Sequence, residues 1–150
     1  MKSVVKIGLP ALILFAATPA TAGTIAGCIA ANEDRDGIIS FDDYAVAHAN
    51  AANVESSALR AAAEAELRER NAEPGRIVCQ THDGAGHYVV VAGGVEYNGA
   101  VRRLIGFGFG STREEALARS DDRLNDVIEY NAFVRSGGQM TVVEEGTIGS

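Results

Sequence analysis

The spacing of apolar residues divides most of the chain into a helical segment followed by a strand-rich segment. Between residues 54 and about 71, Leu59, Ala63 and Leu67 recur at intervals of four, which predicts an amphipathic helix. From residue 76 the apolar period shortens to two. Short β-branched and aromatic runs then predict three strands, over 77–80, 87–92 (with an extension over 95–97) and 100 to about 109. A second amphipathic helix follows from 111 to about 133, and a fourth strand covers 140–145.

Local turn and capping signals place the ends of these elements. Asn98-Gly99 is the strongest short hairpin signal in the chain and predicts that the strands on either side of it pair with each other. At the start of the last helix, Thr112 with Glu115, or Ser111 with Glu114, has the form of a capping box. Both signals favour a compact antiparallel arrangement in this part of the chain.

Three glycines share one face of the strand that follows this hairpin. Gly106, Gly108 and Gly110 alternate with bulky residues, so a helix or another backbone is able to approach that face closely. The sequence shows no internal repeat.

The segment before residue 53 predicts two short helices around a polar loop. Residues 23–31 have apolar side chains at helical spacing, enough for about two turns. Ser40 and Asp43 have the form of a capping box, which predicts a second helix from 41 to about 50.

The predicted fold class is therefore α+β. An N-terminal helix–loop–helix over residues 23–52 precedes an α-β-β-β-α(-β) domain over residues 53–150, in which a small antiparallel sheet packs against helices.

Residues 1–22 have the composition of a secretory signal peptide. Lys2 and Lys6 precede an apolar run over 7–17 that is too short to span a bilayer, and an Ala-x-Ala sequence ends at Ala22. Cleavage after Ala22 predicts a periplasmic or secreted protein with no transmembrane segment in the mature chain. The alternative is a bacterial lipoprotein, in which Ile25-Ala26-Gly27-Cys28 precedes lipid attachment to the cysteine.

Composition narrows the range of partners. Removing the two lysines from the 13 basic residues leaves 11 arginines against 20 acids, so the formal charge of the mature chain is −9. Such a chain is repelled by phosphate backbones and anionic lipid, which argues against nucleic acid as a partner. In an exported protein the two cysteines, Cys28 and Cys79, predict one disulfide, and lipidation of Cys28 would instead leave Cys79 alone.

The twelve residues from Asn32 to Asp43 resemble the calcium-binding loop of the EF-hand family. Oxygen-bearing side chains stand at the first, third, fifth, ninth and twelfth places, and Gly37 stands at the sixth, where the chain must turn sharply. The resemblance implies a Ca²⁺ site. Its ligands would be the side chains of Asn32, Asp34, Asp36, Ser40 and Asp43 and the main-chain carbonyl of Ile38.

The order of elements after residue 53 is similar to that of the double-stranded-RNA-binding domain. The run from Gly108 to Ala116 matches the glycine-rich entry to that family's last helix. The lysines with which that family contacts phosphate are replaced here, with Arg113, Glu114 and Leu117 at those places. The likeness therefore concerns the fold and not RNA binding.

Three functional hypotheses follow from these observations. The first is an exported, non-enzymatic protein with a mainly structural Ca²⁺ site. The second is an interaction or inhibitor module of the cell envelope that does not depend on metal. The third is a small hydrolase using His82, Asp83 and His87, which lie close together in sequence.

Overall fold

A computed structural model describes residues 22–51, 53–71, 75–97, 99–122, 124–125 and 128–149. The predicted signal peptide, except for Ala22, lies outside the described residues. The described elements are, in order, β1 (Thr24–Glu33), β2 (Ile39–Ala49), α1 (Ser56–Arg70), β3 (Arg76–Asp83), β4 (Gly86–Tyr97), β5 (Ala100–Gly110), α2 (Arg113–Asp122), α3 (Ile128–Arg135) and β6 (Thr141–Ile148).

The strands form two antiparallel three-stranded sheets with the same connectivity. Sheet A has the order β2-β1-β3, and sheet B has the order β5-β4-β6. Each sheet begins with a hairpin, continues through helical structure, and returns with a third strand that pairs on the free side of the first. The molecule thus repeats one topology, although the sequence shows no repeat.

The two sheets pack face to face, with helices on the outside. Ile25 and Ile29 of β1 meet Val90 of β4 and the aromatic residues of sheet B in one core cluster. A second cluster lies between sheet B and α2 and α3, and a third lies between sheet A and α1. The result is four layers in the order helix, sheet, sheet, helix.

The strands of the two sheets cross, and β5 lies across all three strands of sheet A. Arg103 of β5 donates to the main-chain carbonyl of Asp42 in β2, at 2.9 Å. Further along β5, the Phe107 ring occupies the space that a side chain at Gly27 of β1 would need. At the end of β5, Phe109 stacks on His82 of β3 with ring centroids 5.2 Å apart.

The predicted N-terminal helix–loop–helix is wrong. Residues 24–33 and 39–49 form the β1–β2 hairpin, in which Asn32 pairs with Ser40 and Glu33 with Ile39. Among the described residues, strands make up 51% and helices 26%, and the strands form two small sheets where one was predicted. The broader description of the fold as α+β is confirmed.

Burial on both faces explains the error in β1. Ile25, Cys28 and Ile29 have the three-and-four spacing of a helix, yet β1 is the central strand of sheet A and is buried from Thr24 to Ala31. A strand covered on both sides needs no polar alternation, so its period is hidden. Tertiary packing has overridden local spacing here.

Most of the predictions after residue 53 are confirmed, with longer strands. The helix predicted from residue 54 is α1, and the predicted hairpin pairs β4 with β5, with Tyr97 opposite Ala100; Asn98 itself lies outside the described residues. Half of the predicted capping box forms, since Glu115 N donates to Thr112 Oγ1 at 3.2 Å, while the Glu115 carboxylate accepts from Ser111 N at 2.8 Å. The long last helix is instead two helices, α2 and α3.

The glycine face of β5 receives α2 as predicted. A methyl group at Gly108 would overlap the Ala116 carbonyl and Ser120 N of α2. The helix backbone therefore lies directly on the strand. No helix in the described part of the chain is long and apolar enough to cross a membrane.

Candidate functional site

The predicted calcium loop forms the turn of the β1–β2 hairpin. Asp34 Oδ1 accepts hydrogen bonds from the main-chain N–H of Asp36 at 2.9 Å and of Ile38 at 3.0 Å. Gly37 has φ +78°, which a residue without Cβ adopts at little cost. The acidic side chain at the third place of the loop thus organises the turn itself.

Asp34 also has a cationic partner within the protein. Arg102 Nη2 lies 2.5 Å from Asp34 Oδ2, and only 15% of the Arg102 side chain is exposed. The pKa of Asp34 is lowered, chiefly by the main-chain hydrogen bond from Ile38, with further contributions from Asp36 and Arg102 against a desolvation effect that raises it. Arg102 therefore supplies positive charge at the carboxylate on which a calcium ion would depend.

Two other predicted ligands are engaged elsewhere. The Asn32 side chain donates to Asp42, and its Oδ1 accepts from Gly75 N at 2.9 Å. Ser40 Oγ accepts from Arg103 N at 3.2 Å, which links β2 to β5.

Of the remaining predicted ligands, Asp43 and Ile38 also contact other protein groups. Asp43 Oδ2 lies 3.5 Å from Arg70 Nε of α1, and the Ile38 carbonyl accepts from Asp34 N at 3.0 Å. Asp36 is exposed. The structure thus places the six residues around one hairpin end but gives several of them protein partners; calcium binding here stays a prediction.

The predicted disulfide is confirmed. Cys28 of β1 and Cys79 of β3 are directly opposite in the ladder, with their Cα atoms 4.0 Å apart, and they close a loop of 51 residues. Cys28 is fully buried beneath α1. The bond therefore ties the central strand of sheet A to its edge strand, and a formed disulfide is typical of an oxidising compartment.

The three residues of the hydrolase hypothesis are not assembled into one site. His82 faces the space between the sheets, where it stacks on Phe109. His87 lies on β4 beside Tyr88, and since side chains alternate along a strand, it faces away from sheet A while Tyr88 faces toward it. Asp83, at the end of β3, is exposed.

The face of β3 turned toward sheet B is only partly covered. Ile77 and Cys79 face α1, so Arg76, Val78, Gln80 and His82 face sheet B. Because β5 crosses β3 only near His82, 40% of Val78 remains exposed.

A cleft lies at each end of this face. The first has a volume of about 500 Å³, and its lining includes Arg76 and Val78 of β3 with Ile39 and Phe41 of β2. The second has a volume of about 330 Å³ and is lined by Gln80, Thr81, His82, Phe107, Gly108, Phe109, Arg119 and Asp122. Both linings combine aromatic rings, Phe41 in the first and Phe107 with Phe109 in the second, with charged side chains, a mixture that ligand clefts use.

The outer edge of β3 presents main-chain hydrogen-bonding groups. The short Cα distance between Cys28 and Cys79 marks them as a pair that does not exchange main-chain hydrogen bonds. Gly84 N donates to Gly23 O at 2.7 Å, which places the bonded pairs at even-numbered β3 positions. The N–H and C=O groups of Ile77, Cys79 and Thr81 therefore point away from β1, and no described strand pairs with that edge.

A tyrosine–glutamate cluster closes the space between the sheets on the other side. Tyr88 donates to Glu144 Oε1 of β6 at 3.1 Å, and Tyr44 of β2 lies close enough to the same carboxylate to be affected by its charge. Burial, followed by the negative charge of Glu144, raises the pKa of Tyr88 to about 12 and raises that of Tyr44 as well. The Tyr88 hydrogen bond joins β4 to β6 within sheet B, and Tyr44 brings β2 of sheet A to the same carboxylate.

The sequence analysis did not predict the partly covered face of β3 and its two clefts, together called the β3 groove from here on, although one signal was present. Arg76, Val78, Gln80 and His82 alternate with Ile77 and Cys79, and this alternation marks a strand with two different faces. The second lining, from β2 and β5, depends on how the sheets cross, and no local pattern encodes that crossing.

Neither the family models, nor the curated proteins, nor the solved structures with which the chain was compared contain a match to it.

Proposed function

We propose that the chain is an exported, non-enzymatic binding module that takes up an extended peptide segment of a partner protein along β3. The observation that carries this proposal is the coincidence of an outward-facing main-chain edge with a partly open side-chain groove on one strand. An added strand gains affinity from the main-chain hydrogen bonds and specificity from clefts for its side chains.

The spacing of the two clefts supports an extended occupant. Val78 lines one cleft and His82 lines the other, four residues apart on β3. At the rise of a strand this separation is about 13 Å, so side chains at positions i and i+4 of an added strand reach both clefts. Apolar or aromatic side chains at those two positions suit the aromatic part of each lining, which is Phe41 in the first cleft and Phe107 with Phe109 in the second.

The disulfide supports two parts of the proposal, namely export to an oxidising compartment and a rigid binding edge. It fastens β3 to the central strand, so the edge is held in place before a peptide arrives. Rigid presentation lowers the entropy lost on binding. The hydrolase hypothesis gains no such support, because His82 and His87 face different sides of the molecule.

The test is to select peptides from a random library of displayed 12-residue peptides against the immobilised oxidised chain. We expect enriched peptides with apolar residues four positions apart. Thr81→Pro removes an outward N–H without removing a hydrogen bond to β1, and it should weaken the selected peptides about tenfold or more. Bound peptide should also slow amide hydrogen exchange at Ile77, Cys79 and Thr81.

The matched control separates the groove from general surface charge. Val78→Asp puts a carboxylate in the first cleft, whereas Val101→Asp puts one on β5 at a valine that is 79% exposed. Only the former should weaken binding. Equal affinity for the Thr81→Pro chain, or peptide binding that is lost on removing Ca²⁺ with a chelator, would contradict the proposal, and the latter would direct attention back to the Asn32–Asp43 loop.

A further inference from the structure

A carboxylate lies directly beside the disulfide of sheet A. Glu64 Oε1, from α1, is 3.4 Å from Cys79 Sγ, and one ligand atom each of Cys28, Glu64 and Cys79 lie within 4.8 Å of one another. Among the described residues, this is the one place where three such groups gather. We propose that, after reduction of the disulfide, these three residues bind a thiophilic divalent cation such as Zn²⁺.

The donor set suits zinc better than calcium. Two thiolates and a carboxylate are ligands that Zn²⁺ accepts at about 2.3 Å from sulfur and about 2.0–2.2 Å from oxygen, whereas Ca²⁺ takes six to eight oxygens. Three protein ligands leave a fourth tetrahedral position for water. The site is thus distinct in place and in chemistry from the Asn32–Asp43 loop.

The backbone keeps the ligands together when the disulfide opens. Cys28 and Cys79 are opposite residues of a ladder, so their Cα atoms remain neighbours while the sulfurs separate to about 3.8 Å, the distance set by two zinc–sulfur bonds at a tetrahedral angle. Arg60 Nε donates at 2.8 Å to the same Glu64 Oε1 that lies beside Cys79 Sγ, which holds the carboxylate next to the two sulfurs.

The cluster is enclosed on one side and open on the other. Cys28 is fully buried, while the side chain of Glu64 is 28% exposed. An ion therefore enters past Glu64, at the edge of α1. Burial of the sulfur of Cys28 protects that ligand from bulk solvent once the ion is in place.

The redox change balances with a dithiol as the reductant. The dithiol gives two electrons and two protons to the S–S bond and becomes a cyclic disulfide, which leaves two thiols in the protein. Zn²⁺ then displaces the two thiol protons as it forms two metal–sulfur bonds, so two protons are released for each ion bound. In the reverse exchange a cyclic disulfide accepts the two electrons and takes up two protons, so the protein S–S bond re-forms and the ion is released.

The experiment uses the full chain, reduced with dithiothreitol, freed of reductant without air, and titrated with Co²⁺ and then Zn²⁺. We expect one Co²⁺ per chain, a thiolate-to-cobalt charge-transfer band in the near ultraviolet, and displacement of Co²⁺ by Zn²⁺. The oxidised chain should bind neither ion. Absence of the band from the reduced chain, or its persistence in the Cys79→Ser chain, overturns the proposal.

The third ligand is tested by a variant on α1 that is partly exposed and leaves both cysteines in place. Glu64→Gln should weaken Zn²⁺ binding at least about tenfold, while Glu69→Gln, exposed on the same helix, should leave it unchanged. Equal affinities in the two variants would overturn the role of Glu64. Hydrogen exchange of sheet A should match that of the oxidised chain when the reduced chain holds Zn²⁺, and failure to regain that protection would overturn a site built on the folded ladder.

Discussion

The two halves of the molecule share one topology but join helix to sheet in different ways. In the first half, α1 contributes Ala63 and Leu67 to a small cluster with Cys28, Ala30 and Ala45. In the second half, β4 and β5 build a larger cluster with α2, α3 and the turn between them. The apolar contact between helix and sheet is thus small in the first half and large in the second.

One row of residues across each sheet illustrates the difference. Ala45, Cys28 and Cys79 are aligned across sheet A, and the corresponding row of sheet B is Gly108, Val89 and Glu145. The central residue of the first row, Cys28, is covalently bonded to its neighbour Cys79. The central residue of the second row, Val89, has no such bond and packs under a helix that lies close to the sheet. A small helix–sheet contact is therefore supported by a disulfide, and a close helix–sheet contact is supported by glycine.

Among the variants that test this difference between the halves, removal of the disulfide should change stability the most. A chain with Cys28→Ala and Cys79→Ala is expected to lose about 4 kcal/mol of unfolding free energy, because the unfolded chain gains the freedom of a 51-residue loop. Hydrogen exchange should accelerate in β1 and β3 far more than in β4 and β5. Equal acceleration in both sheets would show that the halves do not differ in this way.

The glycine contact gives the next largest effect. Gly108→Ala is expected to cost about 2–3 kcal/mol, because the added methyl group overlaps the backbone of α2 and the helix has to move. Ala45→Gly, in the matching place of sheet A, should cost about 1 kcal/mol through lost burial and added chain freedom. Urea unfolding of both variants measures the difference. A cost for Gly108→Ala below that of Ala45→Gly would contradict the close packing of α2.

The smallest predicted effect concerns Tyr88, whose ring lies in the core between the halves, and it depends on pH. The pKa of Tyr88 in the folded state is about 12, above its ordinary value of 10.0, so the unfolded chain releases this proton first as pH rises. The stabilisation is therefore complete below pH 10 and is lost between pH 10 and 12, with a magnitude on the order of 2 kcal/mol or less.

Tyr88→Phe tests this dependence. The variant should be less stable at pH 8 by about 1 kcal/mol, because Glu144 loses a hydrogen bond from a buried hydroxyl. Its unfolding free energy should also fall less steeply above pH 10, although Tyr44 still titrates with the same sign. Parallel curves for the two chains in urea unfolding at pH 8, 10 and 11 would contradict a raised pKa at Tyr88.

The elements that the sequence predicted correctly have a face exposed to water or a local signal. The α1 helix has exposed arginines and glutamates around buried Leu67, and Thr112 with Glu115 marks the start of α2 by hydrogen bonds within four residues. The close approach of α2 to β5 was also predictable, because a row of glycines on one face of a strand leaves room for another backbone to lie against it. Local chemistry was sufficient in these cases.

The candidate site depended on contacts that local patterns do not encode. The loop from Asn32 to Asp43 has the side chains of a calcium loop, but Arg102, more than sixty residues away in sequence, pairs with Asp34. The groove beside Val78 exists because β5 crosses sheet A at an angle. Such arrangements depend on how the two sheets pack against each other. Sheet A itself was not predicted, because its central strand β1 is buried on both faces and lacks the alternation typical of a strand.

The repeated topology has a consequence for the kinetics of folding. Each sheet closes within its own stretch of chain, so its contacts span short sequence distances, whereas the core between the sheets joins Ile25 to Ile148. Long-range contacts form slowly because a large loop must close first. We therefore expect each half to collapse early, with the apolar faces around Phe107 and Tyr88 exposed to aggregation until the two halves dock.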